Sequence, residues 1–240
     1  MRDLSGKVAI VTGSSRGIGR AIAERLLDAR CAVTVTSRHG SAVDEAAEEL
    51  SSRGSADVLG VVCDVRDPEA CAHMVGETVE RFGRLDILVN NAGVGVFKPV
   101  GELSVEEWKL QIDTNLSGVF YCSRAAVPHL AASGDGWIIN IGSLAGRNPV
   151  PGGAAYNATK FGLLGMTEAM MLDLRYEGIR VSTIMPGSVN TYFGGRQPVG
   201  ERDWRLEADD CALAVVQLLQ YPRGAHVSRV EMRPAQPRKT

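Results

Sequence analysis

The sequence predicts an α/β fold, a single domain in which short strands alternate with helices. Three observations predict it. Short β-branched or apolar runs recur along the chain, each followed by a stretch of helical periodicity. The first of these runs, residues 7–12, passes through a cluster of glycines directly into a helical pattern at Ile22 and Leu26. Finally, 240 residues that are 45% hydrophobic and 22% charged can bury one sizeable core without needing a second domain.

Composition also narrows the function. A formal charge of -2 creates no basic field, so nucleic acid is not an expected partner. The first seven residues lack the apolar core of a signal peptide. No run reaches the roughly 18 apolar residues of a membrane span, so a cytoplasmic protein with no membrane partner is expected. The five cysteines are scattered, odd in number and never spaced C-x-x-C, which argues against a disulfide framework or a zinc site. Cys71 and His73 fall on different faces of their helix, so no metal is called for.

The glycine cluster is Gly13, Ser14, Ser15, Arg16, Gly17, Ile18, Gly19. Strand, glycine turn and helix, in that order, suit a phosphate site. Glycine lets the backbone approach a pyrophosphate, and the helix start offers free N–H groups and a positive dipole end. The spacing is G-x-x-x-G-x-G, not the general G-x-G-x-x-G. A second strand, residues 32–36, ends where a nucleotide ribose would be read. Ser37 and Arg38 stand there, with no carboxylate before Asp44. A carboxylate would select the 2′-hydroxyl of NAD, whereas a guanidinium suits a 2′-phosphate, which Arg16 could approach from the other side. NADP(H) is therefore the expected cofactor, against the alternative that Arg38 is a solvated loop residue.

A polar helix over residues 41–52 leads to a third strand, 57–62, followed by Cys63, Asp64 and Val65. Asp64 either receives the adenine amino group or caps the next helix. Asp67-Pro68 reads as a cap with proline at the first helical position, opening a helix to Phe82. The fourth strand, 86–89, runs into Asn90, Asn91, Ala92 and Gly93, where amides can tie loops together and small residues admit a flat ring. Ser104 and Glu107 form a capping box for one long helix to about Leu130. Asn115 lies in its nearly uncharged part, as a structural link or as part of a proton-carrying water chain.

A buried strand at 137–141 delivers Ser143 to its end, where the hydroxyl can hydrogen-bond a substrate carbonyl. Tyr156 and Lys160 follow, four residues apart on a helix and so on one face. A nearby ammonium favours the phenolate, which brings the phenol towards proton exchange at neutral pH. That helix carries only Lys160 and Glu168 as charges between Ala154 and Leu172. It is expected to pack on the sheet with one face and on another subunit with the other. A sixth strand, 179–185, ends in Pro186, Gly187, Ser188, Val189, Asn190 and Thr191, at the edge where a ligand sits in such sheets.

In this order, these segments resemble the short-chain dehydrogenase/reductase (SDR) family over residues 7–191. The resemblance implies a Rossmann-like, doubly wound parallel sheet of seven strands flanked by helices on both faces, with residues 1–240 as one dinucleotide-binding and catalytic domain. It implies an oxidoreductase that moves hydride between NADP(H) and a small-molecule carbonyl or secondary alcohol. Tyr156 would be the general acid and base. Ser143 would polarise the carbonyl oxygen, Lys160 would bind the nicotinamide ribose and lower the Tyr156 pKa, and Asn115 would support the proton relay. The cofactor would touch Gly13, Ser15, Arg16, Gly17, Ile18 and Gly19 of the loop, and Ser37, Arg38, Asp64 and Val65 at the adenosine end. Asn90, Asn91, Ala92, Gly93, Tyr156, Lys160, Pro186, Gly187, Val189 and Thr191 would complete its contacts.

Two segments depart from the family pattern. The substrate lid, residues 191–206, is short and glycine-containing, which predicts an open, permissive pocket, and residues 234–240 form a polar tail expected to fray. A 3-oxoacyl-thioester reductase is thus a second reading, which the short lid disfavours. A catalytically silent NADP-binding sensor is a third, disfavoured by the full set of catalytic residue types. A homo-oligomer, dimer or tetramer, is expected from the apolar helix and from family habit.

Overall fold

The computed structural model describes residues 2–52, 57–200 and 204–237. Seven strands form one sheet: β1 Val8–Val11, β2 Ala32–Ser37, β3 Val58–Val62, β4 Ile87–Asn90, β5 Gly136–Ile141, β6 Ile179–Pro186 and β7 Arg229–Met232. Their spatial order is β3-β2-β1-β4-β5-β6-β7, and every neighbouring pair is parallel. Parallel neighbours require crossovers. These are supplied by α1 Gly17–Asp28, α2 Gly40–Ser51, α3 Pro68–Phe82, α4 Val105–Ile112, α5 Gly118–Ala132, α6 Ala154–Leu174 and α7 Ala208–Leu219.

Because helices cover both faces, the central strands β1, β4 and β5 are buried along their whole length and read as continuous apolar runs. The period-2 alternation still divides them. Ala9 and Val11 face a core with Ile22 and Leu26 of α1 and Val215 and Leu218 of α7. Val8 and Ile10 face the opposite core, with Met74 of α3 and Ala126 and Leu130 of α5. The doubly wound, seven-stranded expectation is met.

The helix caps follow the sequence closely. Asp67 accepts a hydrogen bond from Glu69 N at 2.8 Å with Pro68 in the first turn, and Ser104 and Glu107 form the reciprocal capping box. Two expectations are corrected. Asp64 does not cap α3, since Asp67 does; its carboxylate instead accepts from the backbone N–H and guanidinium of Arg66. The long helix from Ser104 is not uniform either. Residues Asp113–Ser117 form a π-helical turn between α4 and α5, which bulges the helix at Asn115. No glycine or proline marks the site; the turn goes with tertiary hydrogen bonds from Asn115, described below. The middle of the lid, residues 201–203, and the last tail residues, 238–240, lie outside the described residues.

At the amino edge of the sheet, Asp86 is almost fully buried and ties β1 to β4. It accepts from Lys7 Nζ at 2.8 Å, from Arg84 Nη2 at 2.6 Å and from Val8 N at 3.0 Å. Removing one partner of a buried, hydrogen-bonded ion pair leaves the others uncompensated. Asp86→Ala should therefore lower unfolding stability by about 3 kcal/mol, read as a lower urea midpoint at unchanged m-value.

Candidate active site

The carboxyl ends of β1, β4, β5 and β6 open onto one cleft of 1230 Å³. The chain order turns outwards on both sides of the β1–β4 seam, and such a seam leaves a crevice. Thr12 and Asn91 lock it. Thr12 Oγ1 accepts from the backbone N–H of Asn91 at 2.9 Å and of Ala92 at 3.0 Å, while Asn91 Nδ2 donates to the carbonyls of Thr12 and Gly13. Gly13 adopts φ +63°, and a Cβ there would come within 2.9 Å of Ala92 Cα, so only glycine lets the two loops meet.

One end of the cleft is basic and polar. Gly13, Ser15, Arg16, Gly17, Ile18, Ser37, Arg38, Asp64 and Val65 line it, together with Arg66 and His39, which the sequence reading did not single out. Arg38 Nε donates to His39 Nε2 at 3.1 Å. The first turn of α1 holds no acidic residue, and Arg16 at its N-cap makes no side-chain cap, so its N–H groups are open to an anion. The Arg16 guanidinium lies over the Tyr192 ring of the lid, 5.3 Å from its centroid. Asp64, the one carboxylate on these walls, is held below the usual range chiefly by its hydrogen bond from Arg66. A glycine cradle, free helix N–H groups and an arginine-rich wall together fit a phosphorylated dinucleotide.

The other end carries Ser143, Tyr156 and Lys160, with Ala92, Gly93, Pro186, Gly187, Val189 and Thr191 on the walls between. Tyr156 and Lys160 project from the first turns of α6 and are both buried, at 8% and 7% exposure. Lys160 Nζ donates to Ile141 O at 2.9 Å and lies 5.8 Å from the Tyr156 ring centroid. Burial pulls its ammonium down from 10.5 to about 8. Burial raises the Tyr156 phenol, while a hydrogen bond with the Ser143 side chain pulls it back down. The spacing alone suggests that the ammonium would favour the phenolate. In the folded site burial is the larger influence on Tyr156, and it raises the phenol. Ser143 Oγ accepts from Ala145 N at 3.1 Å, which leaves its own proton to donate into the site, towards Tyr156 or a substrate oxygen.

Three expected contacts lie behind the cleft wall. Asn90 is turned into the core, donating to Asn140 Oδ1 at 2.9 Å and to Ser123 Oγ at 3.1 Å. Gly19 packs on Asn91, where a Cβ would come within 2.4 Å of Nδ2. Asn115 accepts from Val94 N and donates to Val94 O, both at 2.8 Å, and donates to Thr159 Oγ1 at 3.2 Å. Its side chain thereby links the loop after β4 to α6. The sequence reading missed Tyr192 and Phe193, which the lid brings onto the cleft. Their signal was available: two aromatic residues immediately after Thr191.

Comparison with known proteins agrees with this geometry. Residues 7–199 match the family model for short chain dehydrogenase. An uncharacterised oxidoreductase of Staphylococcus saprophyticus is 36% identical over 234 residues, covering 98% of this chain and 100% of the relative. Sulfoacetaldehyde reductase 2 of Chromohalobacter salexigens is 35% identical over 238 residues, covering 95% and 94%. Among solved structures, an alcohol dehydrogenase of the archaeon Thermococcus sibiricus, complexed with 5-hydroxy-NADP, is 33% identical with a TM-score of 0.91, covering 98% of this chain and 99% of that one. A metagenomic short-chain oxidoreductase in complex with NADP is 36% identical with a TM-score of 0.85, covering 98% and 100%.

The buried lysine has a consequence for stability. Its folded pKa of about 8 lies below its ordinary 10.5, so between those values the unfolded chain binds the extra proton and stability rises with pH. Against Lys160→Met, which lacks this titration, the wild type should gain up to about 3 kcal/mol between pH 7 and pH 10.5 in urea unfolding. The difference between the two proteins cancels the cysteine and other tyrosine titrations. A flat difference would show that Lys160 is not desolvated in the fold.

Proposed function

The chain belongs to the short chain dehydrogenase family, and from that premise we propose that it is an NADP(H)-dependent oxidoreductase acting between a small-molecule carbonyl and the matching secondary alcohol, with Tyr156 as general acid and base. The observation that carries this reading is the convergence of a buried Tyr156, Ser143 and Lys160 at one end of a cleft whose other end suits a phosphorylated dinucleotide. When bound, the nicotinamide dinucleotide supplies hydride to the carbonyl carbon or removes it from the alcohol carbon.

In reduction, the Tyr156 hydroxyl gives its proton to the carbonyl oxygen. Burial keeps the phenol protonated at neutral pH, the state this step needs. Ser143 donates its free proton to the same oxygen and holds it in line with Tyr156. Lys160 is anchored on Ile141 O by one proton and keeps the others for ribose hydroxyls. With a pKa drawn towards neutrality, it also hands a proton back towards Tyr156 after turnover. Asn115 acts by position, since its side-chain amide holds Val94 and Thr159 around the site.

The preference for NADP(H) rests on Arg38 at the end of β2 and on the arginines around it, where no free carboxylate would repel a 2′-phosphate. The NADP and 5-hydroxy-NADP bound by the two similar structures support it. Phe120, Phe161 and Leu172, exposed on α5 and α6, support assembly into a homo-oligomer. Among the described residues no helix is long and apolar enough to cross a membrane.

The function is tested by NADPH and NADH consumption against aldehydes, diketones, 3-oxo esters, aromatic ketones, sulfoacetaldehyde and an acetoacetyl thioester. Turnover with NADPH is expected. Tight NADPH binding with no turnover in either direction would instead mark a sensor. Tyr156→Phe should lower kcat by at least about 100-fold while leaving the NADPH Kd within about threefold, measured by nucleotide fluorescence. Arg38→Asp should shift the NADPH-to-NADH ratio of kcat/KM towards NADH by on the order of tenfold to a hundredfold; unchanged selectivity would remove the 2′-phosphate assignment.

A further inference from the structure

Tyr156 is not alone at its end of the cleft. Phe97, from the loop after β4, and Phe193, from the lid, both lie against it, with ring centroids 5.2 and 5.5 Å from the Tyr156 ring. The two phenylalanine rings are 6.5 Å apart and nearly perpendicular. Three rings from three separate segments, that of Tyr156 among them, thus form an aromatic box. The box is open on its cleft side, where Phe97 is 43% and Phe193 36% exposed. Fully satisfied core aromatics would not leave this much ring in water, beside the reacting group.

The backbone is shaped for this arrangement. A Cβ on Gly95 would come within 2.6 Å of Phe193 and 2.9 Å of Phe97, so the two rings can close up only over glycine. Phe193 is steadied from its own chain, where its N–H is donated to Thr191 Oγ1 at 3.4 Å, and its neighbour Tyr192 stacks under Arg16. The short lid is therefore pinned to both ends of the cleft. Around the box the walls are apolar: Val94, Leu144, Val150 and Pro151. Of two further arginines on the cleft, Arg233 is paired with Glu231 at 2.9 Å and Arg196 stands exposed on the lid.

Resting on the hydride-transfer reading above, we infer that this site selects carbonyl compounds whose carbonyl is joined to a flat, uncharged aromatic or conjugated group, and that Phe97 and Phe193 are the residues that select it. A flat substituent meets Phe97 and Phe193 in offset or edge-on contact while its carbonyl oxygen faces Tyr156 and Ser143. A puckered ring of the same size fills the space but makes neither contact well.

The test compares substrates that differ in flatness and little else: benzaldehyde with cyclohexanecarbaldehyde, and acetophenone with cyclohexyl methyl ketone, with sulfoacetaldehyde as the anionic arm. Taking the aryl-to-cyclohexyl ratio of kcat/KM across variants cancels the intrinsic reactivity of each carbonyl. Phe193→Leu and Phe97→Leu should each lower that ratio by about fivefold to tenfold, and Phe193→Tyr should preserve it. Independently of turnover, saturation-transfer NMR should show benzyl alcohol held more strongly than cyclohexylmethanol, with the difference lost in Phe193→Leu. Equal losses for aryl and cyclohexyl substrates, or a preference for sulfoacetaldehyde, would overturn the aromatic selection and leave hydride transfer standing. No reduction of any carbonyl and no oxidation of any alcohol would overturn the hydride reading, and the selection with it.

Discussion

The structure depends on the seam between β1 and β4. The chain builds β1, β2 and β3 outwards in one direction, then returns to place β4 on the other side of β1. The loops leaving the two strands diverge, and the cleft lies between them. A seam that carries a cleft has lost the loop packing that would otherwise close it, so it needs bonds of its own. At the carboxyl edge these are the paired hydrogen bonds of Thr12 and Asn91; at the amino edge they are the charge-assisted bonds of Asp86. The glycine at position 13 has its value here as much as towards any phosphate, because the loops meet at backbone distance.

From the seam, buried amides carry position outwards to α6. Asn90 on β4 donates to Asn140 on β5, and Asn140 Nδ2 donates to Thr167 Oγ1 on α6 at 2.9 Å. About two turns earlier on that helix, Asn115 reaches Thr159, between Tyr156 and Lys160. Buried polar chains of this kind are costly when incomplete and rigid when satisfied. Asn90 Oδ1 is left without a partner among the described residues, the point where this chain is least satisfied. Tyr156 and Lys160 are thus placed by directional contacts and not by apolar packing alone, as the proposed proton transfer requires.

Much of this was legible in the sequence, and what was not has a common physical cause. The strand runs, the Asp67-Pro68 and Ser104/Glu107 caps, the glycine loop and the Tyr156–Lys160 spacing are local, and each appears where its residues placed it. The π turn at Asp113–Ser117 was not legible, because long-range hydrogen bonds and not local propensity accompany it. Asp64 does not cap α3, because Asp67, three residues later and followed by proline, makes the better helix start, and Arg66 lies near enough to bond the Asp64 carboxylate. Asn90 and Asn91 are adjacent in sequence, yet the strand alternation sends one side chain into the core and the other to the loop above it. The aromatic box escaped notice because its three rings come from segments 37 to 96 residues apart, and only the fold brings Phe97, Tyr156 and Phe193 together.

The chemistry proposed for this site follows from burial acting on two groups of opposite charge type. Desolvation disfavours the charged form of each, so it raises the phenol of Tyr156 and lowers the ammonium of Lys160 to about 8. A pocket that did only the former would hold an inert tyrosine. One that did only the latter would lose the cation that a ribose and a phenolate both need. Together they draw the two groups apart: the Lys160 ammonium becomes the readier proton donor, and the neutral phenol is the form present near neutral pH. That form is an acid, suited to giving a proton to a carbonyl oxygen. The reverse reaction needs the phenolate, which burial disfavours and which the hydrogen bond from Ser143 favours. On the proposed reading, burial of the pair favours the neutral phenol that carbonyl reduction needs and moves alcohol oxidation to more alkaline conditions.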